Sequence, residues 1–119
     1  MSNISFNTLR EANAYRASDA DKYHFCDKWT NAQWMMALVG EVGELANYLK
    51  KVDRGDFSLE DKKIEIGKEL ADIQIYLDLL ALNLNIDLGE VTVDKYNEVS
   101  RRIDAGVFLT HDNKWYIQK

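Results

Sequence analysis

The 119-residue sequence has no proline and a single cysteine, Cys26. Without proline, no residue forces a helix to break. One cysteine excludes an intrachain disulfide, and a reducing, cytoplasmic setting is the simple expectation. Residues 1–10 contain no apolar segment of signal-peptide type. No run approaches the roughly 20 apolar residues a membrane helix needs. The longest apolar region, Ile73 to Ile86, is interrupted by Gln74, Asp78, Asn83 and Asn85. A basic surplus is also missing: 15 lysines and arginines stand against 20 acidic residues, for a formal charge of −5. That balance argues against a protein that coats nucleic acid and suits one that gathers cations. No membrane and no nucleic-acid partner is expected.

What is present suits one helical domain over residues 1–119. Apolar residues make up 46% of the chain, enough for a core, and charged residues 29%. Four helices are readable. The first runs loosely from Thr8 to about Phe25. The second follows Thr30 or Asn31, either a fair N-cap, and runs to about Val52. Asp53-Arg54-Gly55-Asp56 reads as a turn. Ser58 with Asp61 resembles a capping box and opens the third helix, about Leu59 to Asn85. Asp87 caps a fourth, about Leu88 to Ile103. In the tail, Phe108-Leu109-Thr110 and Trp115-Tyr116-Ile117 flank His111-Asp112-Asn113-Lys114, the pattern of a short β-hairpin or extended arm. The expected fold is an all-α antiparallel bundle.

Wound at 100° per residue, the second helix aligns Trp34, Leu38, Val42, Leu45, Leu49 and Val52 in one apolar stripe. Glu41 and Glu44 lie beside it. The third helix aligns Ile66, Leu70, Ile73, Leu77, Leu80 and Leu84, with Glu69 and Asp72 in the same two places. These are copies in phase, 28 residues apart. Folding the pair at the turn brings the two carboxylate pairs level. A second apolar stripe on the third helix, Ile64, Ala71, Ile75, Leu79, Leu82 and Ile86, predicts cover by another subunit, so a homodimer or homotetramer is expected.

Four carboxylates in one small volume repel one another and raise each other's pKa, and a cation relieves them. An all-oxygen set selects a hard ion, magnesium with manganese as substitute, or calcium. The chain has no EF-hand loop, Walker loop or nucleophile elbow. It has one Asp-x-x-His, Asp21 to His24, and no Glu-x-x-His, which excludes the paired motifs of a di-iron bundle. A lone Glu-x-x-Glu is usually a solvated helix face; two in phase across a hairpin are less readily accidental. Lys50, Lys51 and Arg54, or Lys95, Arg101 and Arg102, supply positive charge for phosphates.

The segments Glu41-Val42-Gly43-Glu44 and Glu69-Leu70-Ala71-Asp72, separated by 24 residues, resemble the paired motif of the MazG-like all-α nucleoside triphosphate pyrophosphohydrolases. The context Gly40 to Leu45, Lys68 to Asp72 and Ile75-Tyr76-Leu77 is similar too. Lys95 to Arg102 looks like the lysine/asparagine segment of small, often phage-borne members. The resemblance covers roughly Trp29 to Arg102. It implies that Glu41, Glu44, Glu69 and Asp72 hold magnesium and form the catalytic set. It implies that Lys95 and Asn97 contact the substrate, with Lys51 and Arg54 as further phosphate candidates. It also implies cleavage of an NTP or dNTP to monophosphate and pyrophosphate, in a dimer or tetramer, controlling or cleansing the nucleotide pool.

For the remaining residues two readings stand side by side. Trp29 precedes its helix and suits base stacking or packing. Trp34, near the stripe, suits packing first. Tyr76 shares a strip with Glu69 and Asp72 and suits a wall of the site. Asn47 suits solvent or a subunit contact. His24 and His111 read as surface residues and Cys26 as a small core residue. Gly40, Gly43 and Gly67 suit close approach of a helix or substrate. The alternative to an enzyme is a helical dimerisation or binding module whose carboxylates form a cation site without turnover.

Overall fold

The structure, a computed structural model, describes residues 1–18 and 28–119. The parts of the first-helix reading that fall on residues 19–27, with Asp21, His24 and Cys26, lie outside the described residues. Among these residues, four helices and one small sheet follow in chain order: α1 Phe6–Ala17, α2 Asn31–Arg54, α3 Leu59–Asn83, α4 Leu88–Arg102, β1 Val107–Leu109 and β2 Trp115–Ile117. Among the described residues, no helix is long and apolar enough to cross a membrane.

Each boundary has a local cause. Ser5 caps α1 by accepting from Thr8 N at 3.1 Å, which starts the helix two residues before the expected Thr8. Thr30 opens α2 with a full capping box: its hydroxyl accepts from Gln33 N, and Gln33 Oε1 accepts from Thr30 N at 2.8 Å. Gly55, at φ 88°, ends α2 as a left-handed cap, with Asp56 N donating to Lys51 O. Ser58 accepts from Asp61 N to start α3. The left-handed Asn85, at φ 56°, stops α3 short of its expected end. Asp87 caps α4 through Glu90 N.

α2 and α3 form a long antiparallel hairpin, and α1 lies along α3. Trp34, Leu38, Ile66, Leu79 and Ala81 are its buried apolar residues. The α1–α3 contact is anchored by a charge. Asp78, 1% exposed, accepts from Arg10 Nε at 3.1 Å and from Asn13 Nδ2 at 2.9 Å. Arg10 also donates to Ile86 O at 2.7 Å, in the link between α3 and α4. On the second stripe of α3, Leu79 is buried on the helix that α1 packs along, whereas Ile64, Ala71 and Ile86 are exposed.

α4 packs chiefly on β1 and α1. The hairpin is antiparallel, with Phe108 opposite Tyr116 and their rings stacked at 5.5 Å. The side chain of Asn97 acts as a third strand: Nδ2 donates to Leu109 O at 2.9 Å and Oδ1 accepts from Leu109 N at 2.8 Å. Gly106 is required where it stands, at φ 70°, because a Cβ there would sit 2.9 Å from Gln118 O.

The single stripe expected on α2 splits in two. Trp34, Leu38, Leu45 and Val52 turn toward α3 or half-bury against it. Val42 and Leu49 fall about 60° outward and join Met35 and Val39, all four between 41% and 54% exposed. With the exposed Ala46, they repeat at alternating steps of four and three, the seam of a coiled coil. On α3, Ile66, Ile73 and Leu80 face inward or half-bury, while Leu70, Leu77 and Leu84 are exposed. The radius of gyration is 17.2 Å, against about 13.5 Å for a compact domain of this length. The accessible surface is 8940 Å², against about 6600 Å² for a compact chain of this mass.

Candidate metal centre and adjoining aromatic pocket

Glu41 and Glu44 sit three residues apart on α2, Glu69 and Asp72 three apart on α3, so each pair shares one face of its helix. In an antiparallel hairpin, residues rotated in the same sense from the contact line fall on one side. The carboxylates therefore gather on one face and the exposed seam on the opposite face. One oxygen from each of Glu41, Glu69 and Asp72 lies within 4.8 Å of the others. Glu44 is exposed at the rim, outside that triplet but close enough to act on Glu41 and Glu69.

The electrostatics are strained. Oε2 of Glu41 and Oε2 of Glu69 are both sealed from solvent, and neither meets a hydrogen-bond donor. Burial pushes Glu41 up to about 7, helped by a proton shared with Glu69 and by the charges of Glu44 and Asp72. Glu69 is raised as well, first by burial and then by Glu44 and Asp72, against the proton of Glu41, which favours its charged form. Buried carboxylate oxygens without donors call for a proton or a cation. An oxygen-only set of this kind fits magnesium or manganese with ligand positions left for water and phosphate.

Asp72 also borders a cavity of about 190 Å³ walled by Trp29, Trp34, Tyr76, Asn13 and Arg16. The Trp29 and Trp34 rings lie 4.7 Å apart, and those of Trp34 and Tyr76 6.3 Å apart. The sequence readings of Trp29 and Tyr76 thus meet in one place. Trp34 is both core and wall, at 4% exposure.

Lys51 and Arg54 stand apart from this site along α2. They lie ten and thirteen residues beyond Glu41, about 15–20 Å along the axis. Arg54 is tied to Asp56 at the hairpin tip. Lys95 pairs with Glu98 at 3.1 Å. Asn97 spends its amide on β1, so in this chain it builds the β-hairpin. His111 pairs with Asp94 at 3.1 Å on the surface. Asn47 is exposed. Gly40, Gly43 and Gly67 meet nothing within 4 Å, so no close approach among the described residues requires them.

Sequence reasoning missed the Arg10–Asp78–Asn13 network. Its signal was Asp78 itself, a charge inside an apolar run, which a fold tolerates only with partners.

No family model matches the chain. The chain is similar to the Gene 37 protein of Mycobacterium phage L5, with 34% identity over 85 residues, covering 69% of this chain and 75% of the phage protein. At that identity and coverage, the chain belongs to the family of this phage Gene 37 protein.

Proposed function

We propose that this chain is a MazG-like, magnesium-dependent pyrophosphohydrolase that cuts a nucleoside triphosphate to the monophosphate and pyrophosphate. The observation that carries the reading is the pair of sealed, donorless oxygens on Glu41 and Glu69, set with Asp72 beside an aromatic pocket. Glu41, Glu69 and Asp72 would hold the metal, and the chemistry fits a hard cation. Magnesium, or manganese in its place, supplies neutralisation of phosphate charge and a more acidic water. Glu44, exposed at the rim, would serve as the general base for an attacking water. The aromatic walls hold the base and so fix the triphosphate over the carboxylates. The task is control or cleansing of a nucleotide pool during phage growth.

The active form on this reading is a homodimer. The chain exposes about 2300 Å² more than a compact chain of its mass, and a stable interface needs about 800 Å² from each partner. The seam Met35, Val39, Val42, Ala46 and Leu49 is the face a second copy would cover. That face also favours a second reading, a dimerisation module whose cation site does no chemistry.

Purified protein, given each common NTP and dNTP with magnesium, manganese or EDTA, decides between them. Monophosphate plus pyrophosphate, abolished by EDTA, supports the enzyme. Diphosphate plus orthophosphate refutes the proposed bond. No product from any of them favours the module.

A further inference from the structure

Asn13 borders the aromatic pocket and is 2% exposed. Its Nδ2 donates to Oδ2 of Asp78 at 2.9 Å, while the other oxygen of that carboxylate accepts from Arg10 Nε. A carboxylate held by a guanidinium only accepts. The Asn13 amide therefore cannot turn over: its nitrogen must face Asp78 and its oxygen must face away. That Oδ1 has no hydrogen-bond partner among the described residues. It is not among the sealed, partnerless oxygens of the described residues, and Asn13 lines the cavity.

We infer that Asn13 is a specificity-determining residue, whose Oδ1 accepts a hydrogen bond from an N–H on the edge of a flat heterocycle lying against Trp29, Trp34 and Tyr76. The inference rests on the proposed function in taking that heterocycle to be the base of the nucleotide. Asp78 and Arg10 are positioning residues, since they fix which atom of the amide the ligand meets. An acceptor locked in advance loses no rotamer freedom on binding. A ring edge with an amino group or ring N–H at that point satisfies it. An edge with only acceptors, or an N-alkyl group, leaves the amide oxygen unpaired and binds more weakly.

The test is a titration of the common ribo- and deoxyribonucleosides, to about 10 mM and in EDTA, followed by the indole N–H signals of Trp29 and Trp34, with Trp115 on β2 as the internal control. One or two nucleosides should move the first two signals and not the third. Methylating the edge N–H of the preferred base should weaken its binding about tenfold, the effect of one unpaired polar group. Asn13→Leu should flatten the ranking of nucleosides to within about twofold. Because that variant also strips Asp78 of a partner, the methylated nucleosides on the unmodified protein decide the matter alone. Equal binding of parent and methylated forms, no nucleoside moving the Trp29 and Trp34 signals, or an unchanged ranking in a folded Asn13→Leu would each overturn the inference. The assay uses no phosphate, metal or turnover. A protein that discriminates nucleosides but cleaves nothing refutes the proposed function only. One that cleaves triphosphates yet binds methylated bases equally refutes this inference only.

Discussion

Replacing Glu41 by glutamine should make the metal-free protein more stable while removing its response to metal. Glu41 is pushed from 4.5 to about 7, chiefly by burial. Taken whole, that rise represents roughly 3 kcal/mol of unfavourable charging. Glu41 is only part-buried, so solvent screening reduces it to about 1–2 kcal/mol. Glutamine carries no charge and offers an N–H to the donorless Oε2 of Glu69. At about 2.1 cal/mol/K of unfolding entropy per residue, this gain raises Tm by about 4–8 °C. The pH dependence follows from the direction of the shift. The folded chain binds this proton more tightly than the unfolded chain. Near pH 4 both hold it and the group costs nothing. As pH climbs from about 4.5 to about 7, the folded chain must release a proton it favours, and stability falls; above that window the cost is constant. Glu69, raised as well, acts in the same direction. The advantage of Glu41→Gln should therefore be absent at pH 4, grow across the window and level off by pH 8. Magnesium or manganese should stabilise the unmodified protein over the same window, because binding needs the carboxylates ionised. The assay is thermal unfolding at fixed protein concentration, in EDTA and in metal, from pH 4 to 8. A variant less stable than the parent at pH 8 in EDTA, or one with the parent's full metal response, would refute the reasoning.

Three further outcomes are expected. Asp78→Ala strands Asn13 and part-buried Arg10 without their shared partner and should cost about 3–5 kcal/mol; a urea titration showing less than about 1 kcal/mol would deny the pair its anchoring role. Lysines at Val42 and Leu49 together should convert a dimer of twice 13.8 kDa into a monomer of 13.8 kDa in light scattering, whereas unchanged mass would exclude the seam as the interface. Asn97→Ala removes both hydrogen bonds to Leu109 and should cost about 1–3 kcal/mol. If Asn97 only builds the hairpin, kcat and KM for the best substrate will stay within about twofold, and a KM raised tenfold with the fold intact would return it to the substrate.

What was legible in the sequence depended on local rules. Thr30, Ser58 and Asp87 announced three helix starts because a cap needs only its own neighbours within three residues. The turn around Gly55 and the split tail of the β-hairpin were readable for the same reason. The carboxylate cluster, though long-range, was readable because two in-phase copies about one turn leave a single way to fold. The rest needed partners that the pattern does not name. A 100° wheel places Val42 and Leu49 beside Leu45, but one neighbouring helix covers only a narrow arc, so they turned outward. Asn97 carried a family role in its motif, yet its amide is taken by Leu109, twelve residues away. Asp78 signalled a buried partner without saying that α1 would supply two.

The helical hairpin is left unsatisfied on both faces, for opposite reasons. On one face, one oxygen each of Glu41 and Glu69 has lost water and gained no donor, so the fold is strained there in proportion to their charge. On the other, Met35, Val39, Val42 and Leu49 keep water against apolar surface. Neither cost disappears by rearranging the hairpin, because rotating α2 to bury its seam would carry Glu41 out of register with Glu69. The two faces are fixed to each other by the 100° step of the helix. A cation on one side and a second chain on the other would each stiffen the same α2–α3 packing, so on the proposed reading the two binding events favour one another. The dissociation constant of the dimer should then fall when magnesium is added at pH 8, and Glu41→Gln should abolish that dependence while leaving the dimer itself intact. Sedimentation equilibrium with and without metal measures both. A dimer indifferent to metal in the unmodified protein would mean that the faces act separately and that the seam serves assembly alone.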